Sequence, residues 1–271
     1  MAITNYIPQI WDAHLLENLH PASVVLPTLN RQYEGVAAKG NTVKITGFTS
    51  VTIGTYAGSI TAQSLVDSSQ SLSINQEKYY AYTLDDVDKA QAAGGFAQVQ
   101  ADAAQSLVDD AESYVLTQMG ANGTSVGTAA LATYSDAYTV ILNLRKALAK
   151  TKVPPSNRYL AVNPDFSSLL FASGSSLIKV NEYGDSGPIM NGEIGRLLGF
   201  TVLETPATGL ENASHPAAIA YHGPSVGYVS QLEKSRATTR YDMFGDQIDG
   251  LHVYGAKVLR PTAVQTYLAI A

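Results

Sequence analysis

Between residues 33 and 83 the chain alternates apolar and polar side chains in two stretches that carry no second layer of their own. Val43 and Ile45, then Val51 and Ile53, are interleaved with Thr42, Lys44, Thr46 and Thr52. Alternation resumes at Leu72 and Ile74 and runs toward Tyr80 and Tyr82. A period of two is the strand signature. A Gly/Ser/Thr/Ala-rich stretch, 54–69, separates the two runs. Two strands of about 13 residues, rising about 3.3 Å each, predict a hairpin roughly 40 Å long. An isolated two-stranded ribbon is marginal in water, and its apolar face needs another layer to lie on. A pair of strands inside an ordinary sandwich is the competing reading. The sequence that follows is helical where a sandwich would supply more strands, which favours an extended arm that needs a partner surface.

The remainder reads as mixed helix and strand. Ile10, Leu15, Leu16 and Leu19 fall at helical spacing, and His20-Pro21 ends that segment, because the residue before proline disfavours the helical region. Thr83-Leu84-Asp85-Asp86 has the form of a helix cap followed by a first turn of carboxylates. From Phe96 to Met119, Phe96, Val99, Ala103, Leu107, Ala111 and Tyr114 form one helical stripe, and Gly120 with Asn122-Gly123-Thr124 is expected to stop it. Ser135 is expected to cap a helix containing Tyr138, Ile141, Leu142, Leu144 and Leu148, which Val153-Pro154-Pro155 ends. Arg158–Val162 reads as a strand, and Asn163-Pro164-Asp165 starts a short helix with proline at its first position. Strands follow near Thr201–Glu204 and Ala217–Tyr221. Residues 236–271 read as β segments with turns at Gly245, Gly250 and Gly255. The class is α+β, with no internal repeat.

Composition excludes several chemistries. There is no cysteine among the 271 residues, which removes disulfides, thiolate metal sites and thiol nucleophiles. The N-terminus lacks a basic region followed by an apolar run, so no signal peptide is expected. No stretch approaches the roughly 20 apolar residues of a membrane span, so the chain is expected to be soluble. The net charge of −6 is concentrated: Asp85, Asp86, Asp88, Asp102, Asp109, Asp110 and Glu112 stand against Lys89 alone between 83 and 134. These acids are read as a solvated helix face rather than a calcium loop, which needs a turn glycine and alternating oxygen ligands. The one dense basic run is Arg145, Lys146, Lys150, Lys152 and Arg158. It is a solvated face with a loop, or a patch that meets acidic surface on a neighbouring subunit.

Motifs for catalysis are weak. Gly184-Asp185-Ser186-Gly187-Pro188 has part of the sequence around a protease serine, but a serine nucleophile needs a histidine base and an oxyanion hole. No histidine among His14, His20, His215, His222 and His252 lies in a base motif or at zinc spacing. No phosphate-binding glycine loop occurs, and the Asn122 and Asn212 sequons carry no weight without secretion. No metal, no cofactor and no enzymatic activity are expected.

Three blocks carry a resemblance. Asn30-Arg31-Gln32-Tyr33-Glu34 with Gly40-Asn41-Thr42-Val43-Lys44-Ile45 is similar to the entry into the extended loop of tailed-bacteriophage major capsid proteins with the Hong Kong 97 fold, in the branch that includes the phage P22 coat protein. Residues 192–202, Gly-Glu-Ile-Gly-Arg-Leu-Leu-Gly-Phe-Thr-Val, resemble that family's lead into an apical-domain strand. Phe244-Gly245-Asp246-Gln247-Ile248, Gly250 and Val253–Leu259 resemble its C-terminal peripheral strands. The resemblance implies an N-terminal arm over 1–32 and an extended β-hairpin loop over 33–83. It implies a spine helix with the first part of the peripheral domain over 84–156, an apical domain over 157–235 and peripheral strands over 236–271.

The implied role is a major capsid protein whose hexamers and pentamers form an icosahedral shell around phage double-stranded DNA. Its partners would be itself, a portal and a separate scaffolding protein, with DNA enclosed without sequence-specific binding and no membrane. It would lie in the virion after assembly in the host bacterial cytoplasm. Inter-subunit contacts are then expected from Val43, Ile45, Val51, Ile53, Tyr56, Leu72, Ile74 and Tyr80 of the loop, and inter-subunit electrostatics from Asp67, Glu77, Arg145, Lys146, Lys150 and Arg158. The acidic stretch 83–119 would face the lumen and repel packaged DNA. Lys44 and Lys78 lie in no motif for a covalent crosslink. The alternatives are an encapsulin-type compartment on the same fold, a bacterial surface-layer protein and, more remotely, a serine hydrolase using Ser186.

Overall fold

The structure, a computed structural model, describes residues 23–34, 41–48, 51–56, 58, 60, 62–86, 97–172, 195–210 and 215–270. The ribbon is the first element it settles. Strands β1 (Thr42–Phe48) and β2 (Asp67–Ser73) pair antiparallel, from Thr42 opposite Ser73 to Phe48 opposite Asp67. At about 3.3 Å per residue this hairpin is roughly 23 Å long, about half the expected length. The second stretch of alternation is in fact two strands. At Ile74-Asn75 the chain leaves the ribbon and enters β3 (Gln76–Asp85), which belongs to another sheet.

That sheet has the order β3-β10-β9, with β9 (Val226–Thr239) and β10 (Gly245–Val258). Thr83, Leu84 and Asp85 lie opposite Gln247, Asp246 and Gly245. The cap-like Thr-Leu-Asp sequence is therefore strand, because the cross-strand ladder satisfies the backbone groups that a helix cap would have used. β10 is continuous through the two glycines read as turns. A Cβ on Gly250 would stand 2.2 Å from the ring of Tyr80, and one on Gly255 would stand 2.3 Å from the Ser73 carbonyl oxygen. Both glycines admit close neighbours across a strand rather than reversing it.

Helix α1 (Ala97–Asn122) runs past Gly120, and Phe96 lies outside the described residues. Ala111, Val115, Leu116 and Met119 are fully buried on it. They share a core with Ile219, Tyr221, Tyr228, Tyr254 and Val258. Tyr114 meets Tyr254 edge-on, with ring centres 5.7 Å apart, a favoured aromatic geometry.

The largest sheet has the order β4-β11-β8-β5-β7-β6. Its strands are β4 (Thr124–Gly127), β5 (Arg158–Val162), β6 (Arg196–Leu197), β7 (Phe200–Glu204), β8 (Ala217–His222) and β11 (Val264–Leu268). Helix α2 (Tyr134–Lys150) and helix α3 (Pro164–Leu170) contribute to the core that covers it. The cap of α2 is Thr133 rather than Ser135. Its hydroxyl donates to the Asp136 carboxylate at 2.7 Å and its backbone N–H donates at 3.1 Å, which holds that carboxyl below the usual carboxylate range. Ala137, Val140, Ile141, Leu144 and Leu148 form the buried stripe, whereas Leu142 is exposed. α3 starts as read, with Asn163 accepting from the Phe166 N–H at 2.9 Å.

β4 and β11 thus pair into the same sheet as β5 and β7, and α2 packs in the core over it.

Candidate inter-subunit surface

The ribbon is rooted by a small core in which Val43, Leu72 and Ile74 pack with Val229. Tyr33, Ile45 and Val253 lie along its edge. The Lys257 ammonium donates to the Ser71 carbonyl at 2.8 Å, and the Ile74 N–H donates to the Asn41 carbonyl at 2.8 Å. Three side chains expected to bury against a neighbour are thus already buried inside the subunit. Their apolar surface anchors the ribbon to β9 and β10 and leaves nothing to offer outward. Tyr80 is also used internally: it packs over Gly250, stacks on Tyr82 with centres 6.3 Å apart, and its hydroxyl lies 3.4 Å from Ser235 Oγ.

The connection between β1 and β2 is different. Val51, Ile53 and Tyr56 are exposed there, Ile53 at 96%. Ile60, Leu65 and Val66 are exposed as well, Ile60 at 86%. These last three were hidden in a stretch whose Gly, Ser, Thr and Ala content reads as plain linker. Six large apolar side chains on one loop make a surface that monomeric proteins rarely present. The β9–β10 turn adds exposed Tyr241 and Phe244.

The charged candidates divide in the same way. Asp67 is exposed at the outer end of the ribbon, and Glu77 is exposed on β3. Arg145, Lys146 and Lys150 are exposed on α2. Arg158 turns back on its own chain, where its guanidinium donates to the carbonyls of Pro154, at 2.8 Å, and of Val153. Burial and the charge of Arg145 lower its pKa from the ordinary value. Opposite it in the β5/β8 register stands His222, whose ring nitrogen Nδ1 lies 3.2 Å from Ser225 Oγ. Burial first, then Arg158 and Arg260, lower the His222 pKa below its ordinary 6.5.

A sign follows for stability. Below about pH 6.5 the unfolded chain protonates this histidine before the folded one does, so stability is complete above that pH and falls as pH drops through it. His222→Gln is expected to flatten that part of a melting-temperature profile between pH 7.5 and 5. An unchanged acid slope in the variant would assign the loss to another group.

The acidic stretch is not a uniform solvated face. Glu112 is 3% exposed. Its carboxylate accepts from Ser23 Oγ at 2.6 Å, Thr205 Oγ1 at 3.0 Å and the Val25 N–H at 3.4 Å. Asp110 accepts from the Tyr254 hydroxyl at 2.6 Å and lies 3.6 Å from the Lys78 ammonium. Burial and that carboxylate push the Tyr254 hydroxyl pKa up. Glu112 is thus a buried structural acid, while Asp110 stays part-exposed and paired within the subunit. Glu112 was findable: Val108, Val115 and Leu116, at i−4, i+3 and i+4, put it on the apolar side of α1.

Ser186 and its loop lie outside the described residues. Among the described residues no group of three His, Asp or Glu side chains could hold a metal ion. No described helix is long and apolar enough to cross a membrane.

Comparison with known proteins bears on this surface. The model of the phage capsid protein family matches residues 69–267. No match is found among curated proteins. Among solved structures, the chain is similar to one from Mycobacterium phage Che8, at 34% identity over 98% of both chains and a TM-score of 0.90. The capsid structure of Cyanophage P-SCSP1u is similar at 16% identity, with 98% of this chain and 93% of that one covered and a TM-score of 0.76. The mature capsid of bacteriophage PhiM1 gives 15% identity, 97% and 92% coverage and a TM-score of 0.73.

Proposed function

The chain belongs to the phage capsid protein family and is a major capsid protein with the Hong Kong 97 fold; from that premise we propose that its copies join as hexamers and pentamers that tile an icosahedral shell around double-stranded DNA. The observation that carries the proposal is the loop between β1 and β2, which exposes Val51, Ile53, Tyr56, Ile60, Leu65 and Val66. Apolar surface of that extent is stable only when another surface covers it. A neighbouring copy is the surface that self-assembly into a shell supplies.

Within this reading residues 1–32 are the N-terminal arm, the extended loop of 33–83 is shortened to end with the ribbon at Ser73, and α1 is the spine helix. The six-stranded sheet with α2 and α3 supports an apical domain that also takes in 134–150 and 264–268. The shell places the protein in the virion, and the same reading has it assembled in the host bacterial cytoplasm. Its partners there are a portal and a separate scaffolding protein. Its role is structural, with no catalytic step assigned to Ser186 or to any other residue. The encapsulin alternative is not favoured, since the matching family model is that of phage capsid proteins.

Electron microscopy of the purified full chain tests this directly. Closed particles of uniform size are expected. Subunits that stay monomeric under every assembly condition tried, with or without scaffolding protein, would sink the proposal. Nuclease-protected DNA inside particles from infected cells is expected, and protein cargo in its place would restore the compartment reading.

A further inference from the structure

A groove of about 460 Å³ lies between the ribbon and the end of β8. Its lining supplies hydroxyl and amide groups from Tyr33, Thr46, Ser68 and Gln70, two basic side chains, His222 and Arg260, and no carboxylate. The Arg260 backbone N–H donates to the Ser225 carbonyl at 3.3 Å, and the same serine's hydroxyl lies 3.2 Å from His222 Nδ1, so the chain at both residues is tied to Ser225. Arg158 stands behind His222 across the β5/β8 pair, and α2 brings Arg145 close enough for its charge to act on Arg158. Among the described residues, none of Arg145, Arg158 and Arg260 forms an ion pair with a carboxylate. Arg158 is half-buried while Arg145 and Arg260 are exposed, and an anion placed beside such a cluster of like charges relieves their repulsion.

The ribbon carries one such anion. Asp67 is the only carboxylate between residues 42 and 73. It is exposed, and among the described residues it has no ion-pair partner. Side chains on a strand alternate between faces. Ser68 and Gln70 line the groove, whereas Asp67, at the outer end of the ribbon opposite Phe48, is not among its lining residues. Its own groove does not hold it, which leaves the carboxylate for the groove of another copy.

We propose that this groove receives the Asp67 end of the ribbon from a second copy of the chain, with the carboxylate held by Arg260 and His222. The inference rests on the shell reading and deepens it by naming a specific contact. Because the donor and the receiving groove are different surfaces of one subunit, the contact can be made head-to-tail, as the shell reading requires. Repeated by rotation, such contacts close a ring, whereas a self-complementary patch would stop at a dimer. A nucleic-acid phosphate would satisfy the same charges. The second copy is favoured because the ribbon forms much of the groove's lining and continues into the exposed apolar loop.

The test is a charge exchange in the full chain, read as the fraction of subunits sedimenting as shells. D67K and R260E alone are each expected to lower that fraction by about tenfold, with circular dichroism unchanged because both side chains are exposed. The double variant D67K/R260E is expected to recover assembly to within about twofold of the unmodified chain. Single variants that assemble normally, or a double variant that recovers nothing, overturn the proposal. R260E shells that form normally but fail to retain DNA overturn it in favour of nucleic acid. The neutral pair D67N and R260Q gives a second reading: each is expected to weaken the salt dependence of assembly, and an unchanged dependence counts against the contact. If the unmodified chain forms no shells, the shell reading itself has failed, which is a different result from any of these.

Discussion

Replacing Val51, Ile53, Ile60, Leu65 and Val66 together with serine abolishes shell formation while the subunit keeps its fold. All five side chains are exposed in the subunit, so little folding energy depends on them. Surface changes of that kind usually move stability by no more than about 0.5 kcal/mol each. Their burial against a neighbour is another matter. Covering a Val, Leu or Ile side chain fully is worth about 1.5–3 kcal/mol, so five of them contribute on the order of 10 kcal/mol per loop before ordering costs. Lost from a contact repeated around every ring, that is enough to remove the assembled state. Sedimentation velocity would show only slow species, and thermal unfolding of the soluble subunit would match the unmodified chain. Shells at normal yield would show that the loop is not the contact. A deletion aimed at the same loop should end at residue 66, because 67–69 belong to β2.

Glu112→Ala is expected to destabilise the subunit by about 3 kcal/mol. The carboxylate is the acceptor for Ser23, Val25 and Thr205, and it ties the segment before the ribbon and the chain after β7 to the middle of α1. Removing it leaves buried donors without an acceptor, each costing about 1–3 kcal/mol, and opens a small cavity as well. For a chain of this size the melting temperature should fall by roughly 6–12 °C. Glu112→Gln keeps one carbonyl oxygen and should fall between the two. Protease cleavage near residues 23–29 should rise in the alanine variant, since Val25, Leu26 and Leu29 belong to the core beside α1. An unchanged melting temperature in Glu112→Ala would refute the structural role.

Much of the architecture was legible because it rests on local pattern. The limits of β5 and the start of α3 follow from Arg158–Val162 and from Asn163-Pro164, where each residue's preference agrees with its surroundings. The ribbon's length did not follow. Leu72, Ile74, Tyr80 and Tyr82 keep one phase, so nothing in the alternation marks the change of sheet at Ile74-Asn75. Sheet membership depends on residues more than 150 positions away in β10, and periodicity does not see them. The cap-like residues at 83–85 failed for the same reason. Gly250 and Gly255 were misread because a glycine that admits a neighbouring ring or carbonyl leaves the same letter in the sequence as one that turns the chain.

The surface was legible in part. Val51 and Ile53 stood out by pattern and Tyr56 was expected with them as a loop contact, whereas Ile60, Leu65 and Val66 were diluted among small residues. Arg158 was grouped with the basic run by proximity in sequence. Its real companions, His222 and Arg260, come from the ends of other strands, and only the folded sheet brings them together.

The position of β11 has a consequence for how the subunit is made. Residues 264–268 follow every other strand in the chain, yet they lie between β4 and β8. Until the ribosome has passed Leu268, β4 has no neighbour and β8 keeps an open edge. Translation at about 5–20 residues per second then imposes a waiting period during which the sheet cannot close. A nascent or truncated chain that stops short of this strand leaves the six-stranded sheet split, with β4 unpaired. Incomplete products are thereby kept out of a lattice that a single defective tile would interrupt.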